Sequence, residues 1–365
     1  MANKKVKKAK EKAARKAVEK ALRKAEEKKR AKAEKKAKEA KKAEKKAAKE
    51  AEQAEQARAR EVRAASEQAS AARAELDEAA QVVHEVLTPP ALGALLKAGP
   101  TTDLGAIDTR GTPGFDGSKA DAEALMPILA DEVSSLQERL YAESKGGGER
   151  SVLLVIQGMD TAGKGGIMRH VVGAMDPQGT RITAFKAPTE EEKAHPFLWR
   201  IRNALPEPGH VGVFDRSHYE DVLIVRVHDL VPRAQWSRRY GQINTFERGL
   251  VTKGMTVIKV MLHISSDEQK ARLAERLERP DKYWKFNPGD IDERRHWDDY
   301  QEAYQAAIEK CSTDEAPWYV VPADRKWYAR LAVMTLLREH LLALDPQWPE
   351  ADFDVAEQQK LLAES

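Results

Sequence analysis

From Gly158 to Gly166 the chain reads GMDTAGKGG, and its first seven residues fit the spacing G-x-x-x-x-G-K in full. Glycines at these positions let the backbone curl until several N–H groups converge on one anion, and Lys164 adds a point charge. Gly158, Met159, Thr161, Ala162, Gly163, Gly165 and Gly166 therefore form a candidate phosphate cradle, with Asp160 and Lys164 as its charged members. The usual pattern places Ser or Thr after the lysine, where its hydroxyl ligates magnesium. Gly165 stands there instead, so another group must hold the metal, and Asp160 is the candidate. Further on, the apolar run Val211–Phe214 delivers Asp215, the position at which P-loop proteins hold magnesium directly or through water. Arg216 follows and is placed to neutralise a phosphoryl group in transit; its competing role is an ion pair with Glu220 or Asp221. Asp160 and Asp215 facing each other across a phosphate site suit one or two Mg2+ ions, with Mn2+ as a substitute. Such chemistry needs in-line positioning and charge neutralisation more than a strong base. Asp160 could orient the attacking phosphate oxygen, or simply cap the turn.

These residues need a scaffold, and the flanking sequence provides one. Val152–Ile156 reads as a buried strand, and a helix begins near Ile167, so the loop has the strand–loop–helix context it requires. Arg181–Phe185, His210–Phe214, Thr256–Ile264 and Trp318–Val321 are further strands, with helical patterns between them. Alternating strands and helices predict an α/β, doubly wound, five-stranded parallel sheet. Ligands of such sheets lie at the carboxyl ends of the strands, where Gly158 and Asp215 fall. Before the loop, Leu125, Leu129, Val133, Leu136 and Leu140 make a core-facing helical stripe within 118–144.

Two further groups of cations stand near these elements. Lys186, Arg200 and Arg202 follow the second strand, where kinases of this architecture bind their second substrate. Arg272, Arg276, Arg279, Lys282, Lys285, Arg294 and Arg295 follow the fourth strand, where a lid would bring cations onto phosphates and exclude water. Lys282, Lys285 and Arg294 are the candidates for the site, whereas Arg272 and Arg276 are expected on the surface, paired with Glu268 or Glu275. His195 and His210 show no metal-ligand spacing and are expected to be structural.

The 365 residues carry a net charge of +3, but residues 1–60 alone hold 25 Lys and Arg against 10 Asp and Glu, leaving the remainder at −12. Residues 1–80 are a low-complexity Ala/Lys/Glu tail with neither Gly nor Pro, expected to be a solvated helix or disordered. That tail is either a solubilising arm or a handle for a polyanion, namely nucleic acid, polyphosphate or the ribosome. Residues 81–118 form an irregular lead-in, 119–345 the P-loop domain with a lid over about 267–304, and 346–365 a C-terminal tail. A single cysteine, Cys311, excludes an intrachain disulfide and fits a reducing compartment. With no membrane span and no hydrophobic leader, a cytoplasmic protein is expected.

Several stretches carry a family likeness. Gly158–Lys164, Phe185-Lys-Ala-Pro-Thr-Glu-Glu191, Phe197-Leu-Trp-Arg200 and Asp215-Arg-Ser-His-Tyr-Glu-Asp221 resemble the polyphosphate kinase 2 family. So do Lys282-Tyr-Trp-Lys-Phe286, Trp297-Asp-Asp-Tyr300, Ala316-Pro-Trp318 and Pro322-Ala-Asp-Arg-Lys-Trp327. The similarity runs from about Ala106 to Leu342, with the motifs in order, and leaves out residues 1–80. It implies a P-loop kinase core with a helical lid and magnesium-dependent, reversible phosphoryl transfer between inorganic polyphosphate and adenine or guanine nucleotides. By the family pattern Asp160 and Lys164 act in the loop, Asp215 and Arg216 form the Walker B pair, and lid and channel cations bind the polyphosphate chain. The branch most resembled phosphorylates AMP as well as ADP; its members often carry Asn where this chain has Asp215, which leaves nucleotide range open. Assembly into dimers or tetramers is implied as well. Two other readings compete: an ATP-dependent nucleoside monophosphate kinase, and a polyanion-binding protein acting through its basic tail.

Overall fold

The computed structural model describes residues 91–365 throughout, together with scattered helical positions between Arg30 and Gln68. The remainder of the 1–80 tail lies outside the described residues. Met1–Glu75 and Leu76–Ser365 separate as two units.

The second unit is built on six strands: β1 (Lys97–Ala98), β2 (Ser151–Gly158), β3 (Thr180–Ala184), β4 (Val211–Asp215), β5 (Met255–His263) and β6 (Trp318–Pro322). They lie in the order β1-β6-β5-β2-β4-β3. Every pairing is parallel except that of β1 with β6, which is antiparallel. The five expected strands are all present, and β1 adds a sixth at one edge. Two residues are too few to show a period-2 alternation, which is why the sequence gives no sign of it.

Strand β2 is buried along its whole length, as a near-continuous apolar run in a two-sided parallel sheet must be. It lies between β4 and β5, so chain order reverses on either side of it. This is the switch point at which such sheets open a crevice. The register pairs Ile156 with Asp215 and Gly158 with Leu262. The phosphate loop and the carboxylate of β4 therefore emerge side by side.

Helices α1 (Lys119–Lys145), α2 (Lys164–His170), α3 (Arg233–Val251), α4 (Ser266–Glu278), α5 (Trp297–Cys311) and α6 (Lys326–Leu344) pack around the sheet. Ser118 caps α1 in a capping box with Asp121, and the leucine stripe is buried as expected. Helix α6 packs against α1 and buries Leu331, Val333, Met334, Leu336 and Leu337 around most of its circumference. Residues 91–117 form more than an irregular lead-in. Leu92, Leu96, Leu104 and Phe115 are in the core, and the amides of Leu92 and Gly93 donate to the Glu339 carboxylate at 2.8 and 2.9 Å. Among the described residues no helix is long and apolar enough to cross a membrane.

Candidate active site

At Gly158 the chain leaves β2 with no room for a side chain: a Cβ there would stand 2.8 Å from the Leu262 carbonyl oxygen and 2.9 Å from the Ala162 Cβ. Gly163 has φ +115°, a value that glycine adopts readily. Between them Thr161 is held at φ 66°, a conformation that costs a non-glycine residue energy unless its neighbours enforce it. Two buried side chains from α4 do so. Arg272, 5% exposed, donates to the Thr161 carbonyl at 2.8 Å, and to those of Ala323 at 2.6 Å and Asp324 at 3.0 Å. Gln269 donates to the Asp160 carbonyl at 3.2 Å. The base of the lid helix thus fixes the tip of the loop.

Lys164 opens α2 and curls back, its ammonium donating to the carbonyls of Gly158 at 2.7 Å and Met159 at 3.3 Å. Burial lowers its pKa; the charges of Asp160 and Asp215 oppose that shift, so both carboxylates lie within electrostatic reach of the ammonium. Asp160 pairs with the Arg216 guanidinium at 3.1 Å. The sequence suggested Glu220 or Asp221 as a partner of Arg216; Glu220 lies within electrostatic reach of the guanidinium, whereas Asp221 pairs with Arg239 at 2.8 Å. Asp215 keeps its Oδ1 buried without a hydrogen-bond partner.

A buried polar network fixes the turn that carries Arg216. The Arg216 amide donates to the Ile156 carbonyl at 3.0 Å, and the residue sits at φ 65°. Ser217 accepts from the Gln157 amide nitrogen at 3.1 Å. Beneath it, Lys259 donates to Glu247 at 2.6 Å, to the Tyr219 hydroxyl at 2.9 Å and to the Cys311 carbonyl at 2.6 Å. Glu247 also meets His218 at 3.0 Å and accepts from Tyr219 at 2.9 Å. Burial alone would raise the Glu247 pKa, but Lys259 and His218 hold it below the ordinary carboxylate value.

Arg216, paired with Asp160 of the loop, also lines a cleft of about 1810 Å³ to which Lys186, Arg200 and Arg202 contribute, although no residue of 158–166 lines it. The cluster after the second strand is thus brought to the cleft that Arg216 lines. Arg200 is partly tied down, donating to the Lys186 carbonyl at 2.9 Å and lying 3.6 Å from Glu192. Arg202 lies over the Phe246 ring.

The lid cations divide. Lys282 and Lys285 lie on the segment Pro280–Lys285, which buries none of its residues, and Lys285 sits over the ring of Trp284. Arg294 is committed elsewhere: it donates to Gln269 at 2.7 Å and to the Ser266 carbonyl at 3.0 Å. None of the three lines the cleft. Arg272 pairs with Glu268 at 2.8 Å as expected but is buried rather than on the surface, because its remaining donors reach main-chain carbonyls. Arg276 pairs with Asp290 at 3.3 Å rather than with Glu268 or Glu275. His195 stacks on Trp199 and His210 packs edge-on to Tyr141; His195 is exposed on the cleft wall, where a purely structural residue was expected.

Four further residues stand at the site, of which the sequence names only Glu220, as a competing partner of Arg216. Glu220 lines the cleft; burial raises its pKa, against the charges of Arg216 and Lys164. Asp290, from the lid, is raised by burial and by the charge of Asp160. Tyr304 of α5 has its hydroxyl at the Gly158 backbone, and burial raises its pKa well above the ordinary value. Arg238 of α3 is exposed on the cleft wall. Only Glu220 had a sequence signal, its place within the Asp215–Asp221 motif.

Residues 117–348 match the family model described as Polyphosphate kinase 2 (PPK2). The chain belongs to the polyphosphate kinase 2 family. It is 46% identical over 250 residues, 68% of its length, to the AMP/ADP-polyphosphate phosphotransferase of Meiothermus ruber, covering 92% of that protein. It is 40% identical to the ADP-polyphosphate phosphotransferase of Rhodopseudomonas palustris, over 69% of this chain and 90% of that one. The crystal structure of Polyphosphate Kinase 2 from Arthrobacter aurescens TC1 superposes with a TM-score of 0.74 at 55% identity, covering 75% of this chain and 97% of the other. Residues before 117 lie outside the family match.

Proposed function

We propose that this polyphosphate kinase 2 family member transfers phosphoryl groups reversibly between inorganic polyphosphate and nucleotides, making ATP or GTP from ADP or GDP, and ADP from AMP. One observation carries the reading. A phosphate loop braced from the lid helix places Lys164, Asp160 and Arg216 together beside a cleft with a cationic wall. The names of the relatives from Meiothermus ruber and Rhodopseudomonas palustris support AMP and ADP as acceptors.

In the transfer, a terminal oxygen of the nucleotide phosphate bonds to the end phosphorus of the polyphosphate. The P–O bond to the next phosphate breaks, and its electron pair leaves with the shortened chain. Lys164 neutralises charge on the transferred group from within the loop. Arg216, oriented by Asp160 and by its anchored turn, does so from the cleft side, where it lines the same wall as Lys186 and Arg200. Donor and product are both phosphoanhydrides, so little free energy separates them and concentration sets the direction.

Mg2+ fits this site, with Mn2+ as a substitute. Asp215 Oδ1 is buried without a partner, and Asp160 is a hard oxygen donor that, like Asp215, lies within electrostatic reach of Lys164. Magnesium is commonly held by one or two carboxylates plus substrate phosphates and water; when bound it would neutralise phosphate charge. A dimer or tetramer, supported by the family resemblance, is checked by light scattering. A reducing, cytoplasmic setting is supported by the single cysteine, Cys311, which is buried and unbridged.

The test is incubation of the purified protein with Mg2+, long-chain polyphosphate and, separately, AMP, ADP, GMP or GDP, with products resolved by anion exchange. Nucleoside triphosphate from a diphosphate, and ADP from AMP, are expected. Activity confined to ATP plus a monophosphate would replace this reading with an ordinary nucleotide kinase.

A further inference from the structure

Residues 35–49 hold eight lysines and two glutamates and contain no arginine, asparagine, glutamine or aromatic residue. The described positions Lys35, Lys38, Lys41, Lys42, Lys45 and Lys49 are all helical and exposed. Steps of three and four residues keep such side chains on one side of a helix. The two ends of the series lie about 21 Å apart along the axis at 1.5 Å per residue. Glu34, also helical and exposed, falls within the same arc, four residues before Lys38. The net result is a predominantly cationic face in a segment outside the family match.

We propose that this lysine face binds inorganic polyphosphate and tethers the chain to the enzyme that consumes it. The proposal rests on the polyphosphate reading of the active site. The choice of polyanion follows from what the face lacks. Single-stranded nucleic acids are gripped by a basic groove together with bases stacked on aromatic rings, and base edges are read by Arg, Asn, Gln and, at guanine, also by Lys. Lysine is a point charge on a flexible stem. Residues 1–80 contain no aromatic side chain, and 20 of the 25 cations in residues 1–60 are lysines. A ligand made only of phosphates offers nothing beyond charge to recognise, and this face recognises nothing beyond charge. Binding one polymer at two places on one chain raises the effective concentration at the second. The benefit is confined to chains long enough to reach both.

The experiment compares the full-length protein with the full-length variant K35Q/K38Q/K41Q/K42Q/K45Q/K49Q, since glutamine keeps helix propensity close to that of lysine. Anisotropy measures binding of end-labelled long-chain polyphosphate, and separately of labelled single-stranded RNA, across a salt series. Steady-state kinetics give KM for long and for short polyphosphate. The variant is expected to bind long chains about tenfold more weakly, with a log–log salt slope reduced by about 4. Its KM for long chains should rise while kcat and the KM for short chains stay the same. A change of less than twofold in long-chain affinity would overturn the tether. So would tighter binding of RNA than of polyphosphate by the unmodified protein, lost in the variant; the face would then be a nucleic-acid handle. The binding arm needs no turnover, so an inactive protein would count against the active-site reading without deciding this one.

Discussion

The cations of the catalytic unit are held in two opposite ways. Arg272, Arg294 and Lys259 are anchored, their donors directed at main-chain carbonyls, Gln269 or a buried carboxylate. Lys186, Lys285 and Arg238 are exposed, two of them on the cleft wall and one on the lid. A buried cation is tolerated only with its donors satisfied, and one so satisfied has nothing left to offer a substrate. An exposed cation exchanges water for phosphate at little cost. The anchored set therefore braces the fold around the site, and the exposed set is the one proposed to meet the ligand, although the residue types overlap. Lys164 stands between the two groups: it is half-buried and held by two loop carbonyls, yet it sits in the loop proposed to receive phosphate.

Substitutions sharpen this contrast, and the largest effects belong to the site itself. Lys164→Ala and Asp215→Ala should each lower turnover by about 10²–10³-fold while leaving the melting temperature nearly unchanged; near-normal turnover in either would remove the role assigned. Next comes the anchored set, read in stability. Lys259→Met leaves the Glu247 carboxylate buried without its cation, and should cost about 3–5 kcal/mol in denaturant unfolding. Adding Glu247→Leu should recover much of the loss, because the pair as a whole is worth less than the penalty for splitting it. Arg272→Lys keeps the charge but loses the fork that grips three carbonyls. A destabilisation of about 1–3 kcal/mol is expected, with kcat falling about tenfold as the Thr161 turn relaxes. If kcat of the folded fraction were unchanged, Arg272 would merely stabilise the fold.

The exposed set should show the reverse pattern. Lys186→Gln and Lys285→Gln should raise the KM for polyphosphate a few-fold with stability changed by less than about 0.5 kcal/mol. A large loss of stability in either would break the division. The smallest effect is in pH. Burial lowers the Lys164 pKa from its ordinary 10.5, so the ammonium is lost at a lower pH than usual. In the free enzyme, kcat/KM should therefore begin to fall on the alkaline side before the ordinary lysine range, and Lys164→Arg should move that limb upward.

The sequence showed those parts of the molecule that depend on local pattern. Five strands, the leucine stripe of α1, the loop and the Asp215–Arg216 turn all follow from periodicity or from a fixed spacing. What it hid depends on contacts across long separations. Arg272 and Thr161 are 111 positions apart, and nothing near Arg272 distinguishes a buried brace from a surface residue of an amphipathic helix. Arg276 finds Asp290 across the lid rather than the acids on its own helix. Arg294 turns inward because Gln269 and Ser266 face it. Strand β1 exists because β6 offers an open edge to two residues of an otherwise irregular segment.

The most direct measurement is ATP formation from ADP and long-chain polyphosphate in the presence of Mg2+, with the unmodified protein and Lys164→Ala side by side. ATP should accumulate with the unmodified protein as the chain shortens, and Lys164→Ala should fall about 10²–10³-fold below it. No ATP from polyphosphate, together with phosphorylation of a monophosphate by ATP, would contradict the account.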